Sequence, residues 1–374
     1  MFVQKHLFHS PKLDLDIARS IPATVGYETY GRLNAARNNA ILVCHPFSAS
    51  SHAAGRYGAD DPSPGWWDPL IGPGKAFDTD RFFVVAVDAL CNLRTHSPLV
   101  VTTGPATINP ETGRPWGPDF PQITMRDNVR LQYQLITSLG IERLVCVAGP
   151  GTGGFQALEW AVTYPDMVDK VIAVATAHQA PPIFSLAVCQ AGIDAIEADP
   201  DYKGGQYYDG NGPSDGLARA AFLLATLVRS DGWIADRWER KTAQGSMHPR
   251  SDRSGRFAFQ AGMEQLARDR AREFDANHFI YTARAALLHD IGYANRGIEV
   301  AAQMIRAKLL LVPVVGDLLF PPENSHILAG LIRQHGGQAV VSPLESENGH
   351  TGALQDCKWL TEPITRFLRC EEMH

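Results

Sequence analysis

Six short apolar runs limit the folds open to this chain more than any other feature. They are residues 40–44 (AILVC), 82–87 (FFVVAV), 144–148 (LVCVA), 170–175 (KVIAVA) and 309–315 (LLLVPVV), with a sixth beginning at 338–341. A strand with water on one face alternates polar and apolar residues. A strand that is apolar throughout is covered on both faces, as in a parallel sheet flanked by helices. The spacing therefore predicts an α/β fold with a mainly parallel sheet and helices on both faces. The rhythm lapses between residues 178 and 294, where helical patterns such as 217–228 and 263–273 are punctuated by Pro181-Pro182 and the Gly/Asp/Pro cluster at 204–215. The expected organisation is a core of residues 1–177 and 295–374 with a helical lid inserted at 178–294. A separate helical domain with no role at the site is the other reading. The loop at 91–121 is long and rich in Gly, Pro and Thr, which points to an ordered surface loop near a pocket.

Composition narrows the function classes. The 374 residues carry 34 Lys and Arg against 40 Asp and Glu, a net charge of −6, with 45% hydrophobic residues. These values fit a globular protein with a substantial core and exclude a disordered or disulfide-framework chain. Mild acidity without a basic run argues against a nucleic-acid partner. No stretch reaches the roughly 18 apolar residues of a membrane helix, and the first residues lack the layout of a signal peptide. Cys44, Cys91, Cys146, Cys189, Cys357 and Cys370 form no CxxC pair. They read as buried free thiols of a reducing cytoplasm, with no metal site.

The third run leads directly into Gly149-Pro150-Gly151-Thr152-Gly153-Gly154, followed by a helical pattern over 155–164 that stops before Pro165. Strand, glycine-rich turn and helix serve either a phosphate-cradling loop or a nucleophile elbow. The phosphate reading lacks a Lys-Ser/Thr pair after the glycines and lacks dinucleotide-fold spacing. The elbow reading gains from Asp317, just past the fifth run, and from His350, just past the sixth. Elbow, acid and histidine stand in the chain order of an α/β-hydrolase triad.

Further segments carry a family resemblance: Tyr27-Glu28-Thr29-Tyr30-Gly31, Gly65-Trp66-Trp67-Asp68, Leu70-Ile71-Gly72-Pro73-Gly74-Lys75, Gly117-Pro118-Asp119-Phe120-Pro121, Gln156-Ala157-Leu158-Glu159-Trp160 and Asp317-Leu318-Leu319-Phe320-Pro321-Pro322. On these the chain resembles the homoserine O-acetyltransferase family of α/β-hydrolase-fold proteins over nearly its whole length, least in the lid. The resemblance implies an α/β-hydrolase fold, a cofactor-free enzyme acting on a small-molecule substrate, and a homodimer formed through the lid. It also implies an elbow reading roughly Gly-Gly-Ser-Met-Gly-Gly, whose serine takes the acetyl group. Aligned on Gly153-Gly154-Phe155-Gln156, the serine position is Gly151, between Pro150 and Thr152. Two more positions depart. The family's lid arginine, expected for the homoserine carboxylate, aligns near Ile193. The acidic residue expected after the catalytic histidine is Thr351.

Glycine has no side chain to acylate. What persists is a dyad in which Asp317 orients His350, with the backbone N–H groups of Phe47 and Thr152 at the family's oxyanion positions. The helix dipole behind Thr152 adds to them. Omitting a serine side chain leaves space for about one water. Three functions stay open. One is an enzyme without an acyl-enzyme, with hydrolase, lyase or isomerase chemistry. Another is acyl transfer or ester hydrolysis with a substitute nucleophile, Thr152 first and then Ser48, Ser50 or Ser51. The last is a binding or scaffold protein. His45 and His52 read as structural histidines, His178 as a residue at the start of the lid, Arg126 as a salt-bridged residue, and Trp66 and Trp67 as packing residues.

Overall fold

In the computed structural model, which describes residues 1–61 and 63–370, the strands are β1 (His6–Leu13), β2 (Ile21–Tyr30), β3 (Ala40–Cys44), β4 (Ile71–Gly72), β5 (Phe77–Asp78), β6 (Phe83–Val87), β7 (Leu144–Pro150), β8 (Lys170–Val174), β9 (Lys308–Val312) and β10 (Ala339–Val341). Eight of them form one sheet in the order β1-β2-β6-β3-β7-β8-β9-β10, and β4 pairs with β5 apart from it. The pairs from β6 to β10 are all parallel, whereas β1–β2 and β2–β6 are antiparallel. All six apolar runs are strands of this sheet. Every residue of β3 and β8 is buried, as expected of strands covered on both faces. The fifth run ends its strand at Val312 because Pro313 has no N–H for the ladder.

The sequence reading named neither β1 nor β2. In β1 only Ser10 and Leu13 are buried, and β2 alternates buried and partly exposed positions. Both lie at the antiparallel edge, where one face meets water.

Helices α1 (Met125–Ser138) and α2 (Thr152–Thr163) follow β6 and β7. Between β8 and β9 lie a π-helical stretch (Phe184–Gln190), α3 (Ala191–Glu197), α4 (Ser214–Leu227), α5 (Asp231–Trp238), α6 (Ala258–Ala271), α7 (Ala276–Leu287) and α8 (Ile298–Met304). Then come α9 (Glu323–Gln334), α10 (Gly352–Gln355) and α11 (Thr361–Leu368). Phe184, Ile193, Leu217 and Phe279 share one buried cluster with Leu42 of β3 and Phe155 of α2. The inserted helices thus meet α2 and the segments just past the strand ends, where Phe184 contacts Phe47, Phe155 and Phe320. No helix among the described residues is long and apolar enough to cross a membrane.

The 91–121 loop is tied to α7. His278 bonds Asn92 O through Nδ1 (2.9 Å) and accepts from Ala106 N–H at Nε2 (3.1 Å), and Thr282 Oγ1 donates to Cys91 O (2.7 Å). The loop also lines a cleft through Thr95, His96 and Ala106. Five of the six cysteines are buried free thiols, while Cys370 is exposed, beyond the last helix.

Candidate active site

The parallel strands direct their carboxyl ends toward one edge of the sheet, where ligands bind in open α/β folds. β7 delivers Gly151 there as the cap of α2, at φ 56° and ψ −123°. Gly151 N–H donates to Val174 O (2.9 Å), and Gly151 O accepts from Thr176 Oγ1 (2.8 Å), so the turn is pinned to the end of β8. A positive φ favours glycine. Gly153 meets a different constraint. A Cβ there would stand 2.2 Å from Cys44 O, so its missing side chain lets α2 lie close against β3.

Asp317 and His350 converge on this turn from the ends of β9 and β10. His350 Nδ1 lies 2.7 Å from Asp317 Oδ2. Asp317 Oδ1 accepts from Leu319 N–H (2.8 Å) and Phe320 N–H (3.1 Å), which fixes a fully buried carboxylate. The His350 ring packs against Phe320 at 5.1 Å. Its other nitrogen faces the elbow, since a Cβ built on Gly151 would lie 3.2 Å from His350 Nε2. The same Cβ would lie 3.7 Å from Pro46 Cβ, so the segment after β3 closes the opposite side.

Phe47 follows Pro46, and Thr152 is the first residue of α2. A first helical N–H has no acceptor within its helix. Among the described residues, neither Phe47 N–H nor Thr152 N–H donates a hydrogen bond. Thr152, Phe47, Asn128 and Gln156 line a cavity of about 20 Å³, room for about one water.

The serines after β3 differ from one another. Ser51 is fully buried; its N–H donates to Asp88 Oδ1 (2.7 Å) and its hydroxyl accepts from Lys5. Lys5 also pairs with Glu28 at 2.9 Å, and Glu28 takes bonds from Tyr30, His52 and Tyr57. Burial pushes the Glu28 carboxyl up, but His52, Lys5 and Tyr57 outweigh it and leave the pKa below its ordinary value. Ser50 Oγ accepts from His52 N–H at 3.3 Å. Ser48 instead lines an open cleft.

His45 is buried, bonded to Pro46 O and accepting from Ala89 N–H at Nε2 (2.9 Å), so it is a satisfied structural residue. Arg126 is salt-bridged to Glu159 at 2.6 Å. Trp67 is fully buried and donates to Ala353 O, and Trp66 donates to Ser50 O. His178 is buried with Nδ1 unpartnered. Ile193 lies buried in α3 among apolar residues, and Thr351 accepts a bond from Arg229.

Two sets of side-chain contacts, those of Phe184 and Phe279 and that of Arg229, were not picked out from the sequence. Phe47 meets Phe184 and Phe279 edge-on, at 6.5 Å and 5.5 Å, and Phe155 and Phe320 extend the set around His350. These five aromatics come from five segments distant in sequence, so no local pattern links them. Arg229 reaches Thr351 across 122 positions, with equally little local signal.

Comparison with known proteins places this geometry in context. The alpha/beta hydrolase fold family matches residues 39–343. The chain is 41% identical over 352 residues to a homoserine O-acetyltransferase of Symbiobacterium thermophilum, covering 94% of this chain and 90% of that protein. The crystal structure of homoserine O-acetyltransferase from Bacillus anthracis matches with a TM-score of 0.95 at 40% identity, over 98% of both chains. The crystal structure of esterase E22 matches with a TM-score of 0.93 at 36% identity, over 98% of this chain and all of that one.

Proposed function

The chain belongs to the homoserine O-acetyltransferase family of the α/β-hydrolase fold, and from that premise we propose that it processes a small acyl substrate by general-base catalysis from His350, without an acyl-enzyme. The observation that carries this reading is the approach of His350 Nε2 to Gly151, the position that the sequence resemblance assigns to the family's serine. The ring is held as a base by Asp317. The residue it faces has no hydroxyl to acylate.

In a hydrolytic cycle, water attacks the acyl carbonyl while its proton passes to His350 Nε2. The carbonyl π electrons move onto oxygen, and the tetrahedral oxyanion takes hydrogen bonds from Phe47 N–H and Thr152 N–H. Collapse reforms the carbonyl and breaks the bond to the leaving oxygen. That oxygen receives the proton back from His350. Residues 178–294 act as the lid in this reading. Its support is the packing of Phe184 and Phe279 on Phe47.

A second reading draws on the relatives named as an acyltransferase and an esterase. In it a substitute hydroxyl, with Thr152 first in line, forms the acyl-enzyme. Intact-mass spectrometry during turnover of 4-nitrophenyl acetate separates the two. Unmodified protein throughout turnover supports the direct route, and an acetyl adduct mapped to Thr152 or Ser48 supports the substitute.

A further inference from the structure

Phe47 N–H belongs to the peptide that joins it to Pro46, and that peptide is trans. A trans peptide points its carbonyl and its N–H in opposite directions. Whatever holds Pro46 O therefore aims Phe47 N–H. Pro46 O lies 2.9 Å from His45 Nδ1 and accepts from Ala49 N–H at 3.0 Å. His45 Nε2 accepts from Ala89 N–H at 2.9 Å. The proton of the neutral ring therefore sits on Nδ1, which donates to Pro46 O. Burial lowers the pKa of His45 and so favours that neutral ring.

Both groups that hold this carbonyl meet one side chain. Asn92, 2% exposed, donates from Nδ2 to Ala49 O at 2.9 Å, and the same nitrogen lies 3.3 Å from His45 Nε2. Its Oδ1 accepts from Arg94 N–H at 3.0 Å, which fixes the orientation of the amide. Its backbone is tied to the inserted helices. Helix α7 and its cap residue Asp275 hold three consecutive carbonyls. Thr282 Oγ1 donates to Cys91 O (2.7 Å), His278 Nδ1 to Asn92 O (2.9 Å) and Asp275 N–H to Leu93 O (2.9 Å). Cys91 stands at φ 53°, a conformation that a non-glycine residue keeps only where its surroundings impose it. Residues 91–93 thus form a strap from α7 to the segment that carries Phe47.

We propose that Asn92 is a positioning residue. Acting through His45 and Ala49, it fixes the Pro46–Phe47 peptide with its N–H free for the substrate oxyanion, and it ties that peptide to α7. A donor of this kind works because it need not reorient when charge develops. A displacement of about 1 Å can cost about 10²-fold in rate. The catalytic consequence rests on the general-base reading of His350, whereas binding of an oxyanion mimic tests the positioning without turnover.

The experiment uses the full chain and its Asn92→Ala, His45→Ala and His45→Asn variants. Binding is measured by calorimetry for 1,1,1-trifluoro-4-phenyl-2-butanone, a tetrahedral hydrate in water, and for the planar 4-phenyl-2-butanone. Transition-state mimics gain most from donors aimed at the developing charge. The wild-type protein should prefer the hydrate. Asn92→Ala and His45→Ala should each lower that preference, and kcat for 4-nitrophenyl acetate, by roughly 10–100-fold with little change in KM. His45→Asn places an amide N–H near the site of Nδ1 and should recover part of both. The two His45 variants decide the question should Asn92→Ala not fold. A residue that only packs would lower the midpoint of urea unfolding and leave the preference intact. A preference equal to wild type in the folded variants would overturn the proposal, as would a wild-type protein with no preference for the hydrate. If the wild-type protein turns over no ester but prefers the hydrate, and the Ala variants lose that preference, the general-base reading fails and the positioning role stands.

Discussion

Asp317 Oδ2 lies 2.7 Å from His350 Nδ1, while its other oxygen is committed to the backbone N–H groups of Leu319 and Phe320. The carboxylate therefore has one available orientation, and it presents His350 Nε2 to Gly151. Replacing Asp317 by Asn keeps the shape but allows the amide to face Nδ1 with a donor, favouring the wrong tautomer. The expected result for Asp317→Asn is a fall in ester turnover of roughly 10²–10⁴-fold with unchanged circular dichroism. A variant as active as wild type would show that the pair only packs.

Gly151→Ser tests the elbow itself. The new Cβ would stand 3.2 Å from His350 Nε2, on a backbone at φ 56°. Holding a non-glycine residue there costs about 1–3 kcal/mol, so the midpoint of urea unfolding should drop. The added hydroxyl should also become acetylated by 4-nitrophenyl acetate, giving an intact-mass adduct that maps to residue 151. Absence of that adduct in a folded variant would mean that the histidine does not address this position.

Gly153 is a packing constraint without chemistry. A methyl group at this position would meet Cys44 O at 2.2 Å, backbone against helix, with no flexible side chain to yield. Gly153→Ala should lose more than about 2 kcal/mol in denaturant unfolding, the cost of an overpacked core. A loss below about 0.5 kcal/mol, usual for surface changes, would show that α2 moves freely against β3.

His289 sets a pH dependence of stability. Its ring stacks on Phe155 at 3.9 Å and is buried, and that burial lowers its pKa to about 3 from the ordinary 6.5. Between these values the unfolded chain binds a proton that the folded chain refuses, so stability is lost as pH falls from 6.5 toward 3. The slope from this one group is at most about 1.4 kcal/mol per pH unit. In His289→Gln, urea unfolding measured across that window should show a correspondingly shallower acid loss. An identical slope would assign the acid sensitivity elsewhere.

The parallel half of the sheet was legible because burial on both faces writes itself into continuous apolar runs such as AILVC and KVIAVA. The edge strands were not. In β1 the exposed His6 and Leu7 sit beside the buried Ser10, so neither continuity nor clean alternation survives. At the site, Gly151, Asp317 and His350 were legible because each stands just past a strand, in a fixed chain order. Phe184, Phe279 and Arg229 were not. Their roles arise from tertiary contacts between the inserted helices and the segments at 45–48 and 349–351, and no local period encodes such contacts.

The most direct measurement is the rate of 4-nitrophenyl acetate hydrolysis by His350→Ala beside the wild-type protein, both verified as folded. If His350 is the base that faces Gly151, kcat should fall by roughly 10²–10⁴-fold, the contribution of a positioned general base. A rate equal to wild type would contradict the account.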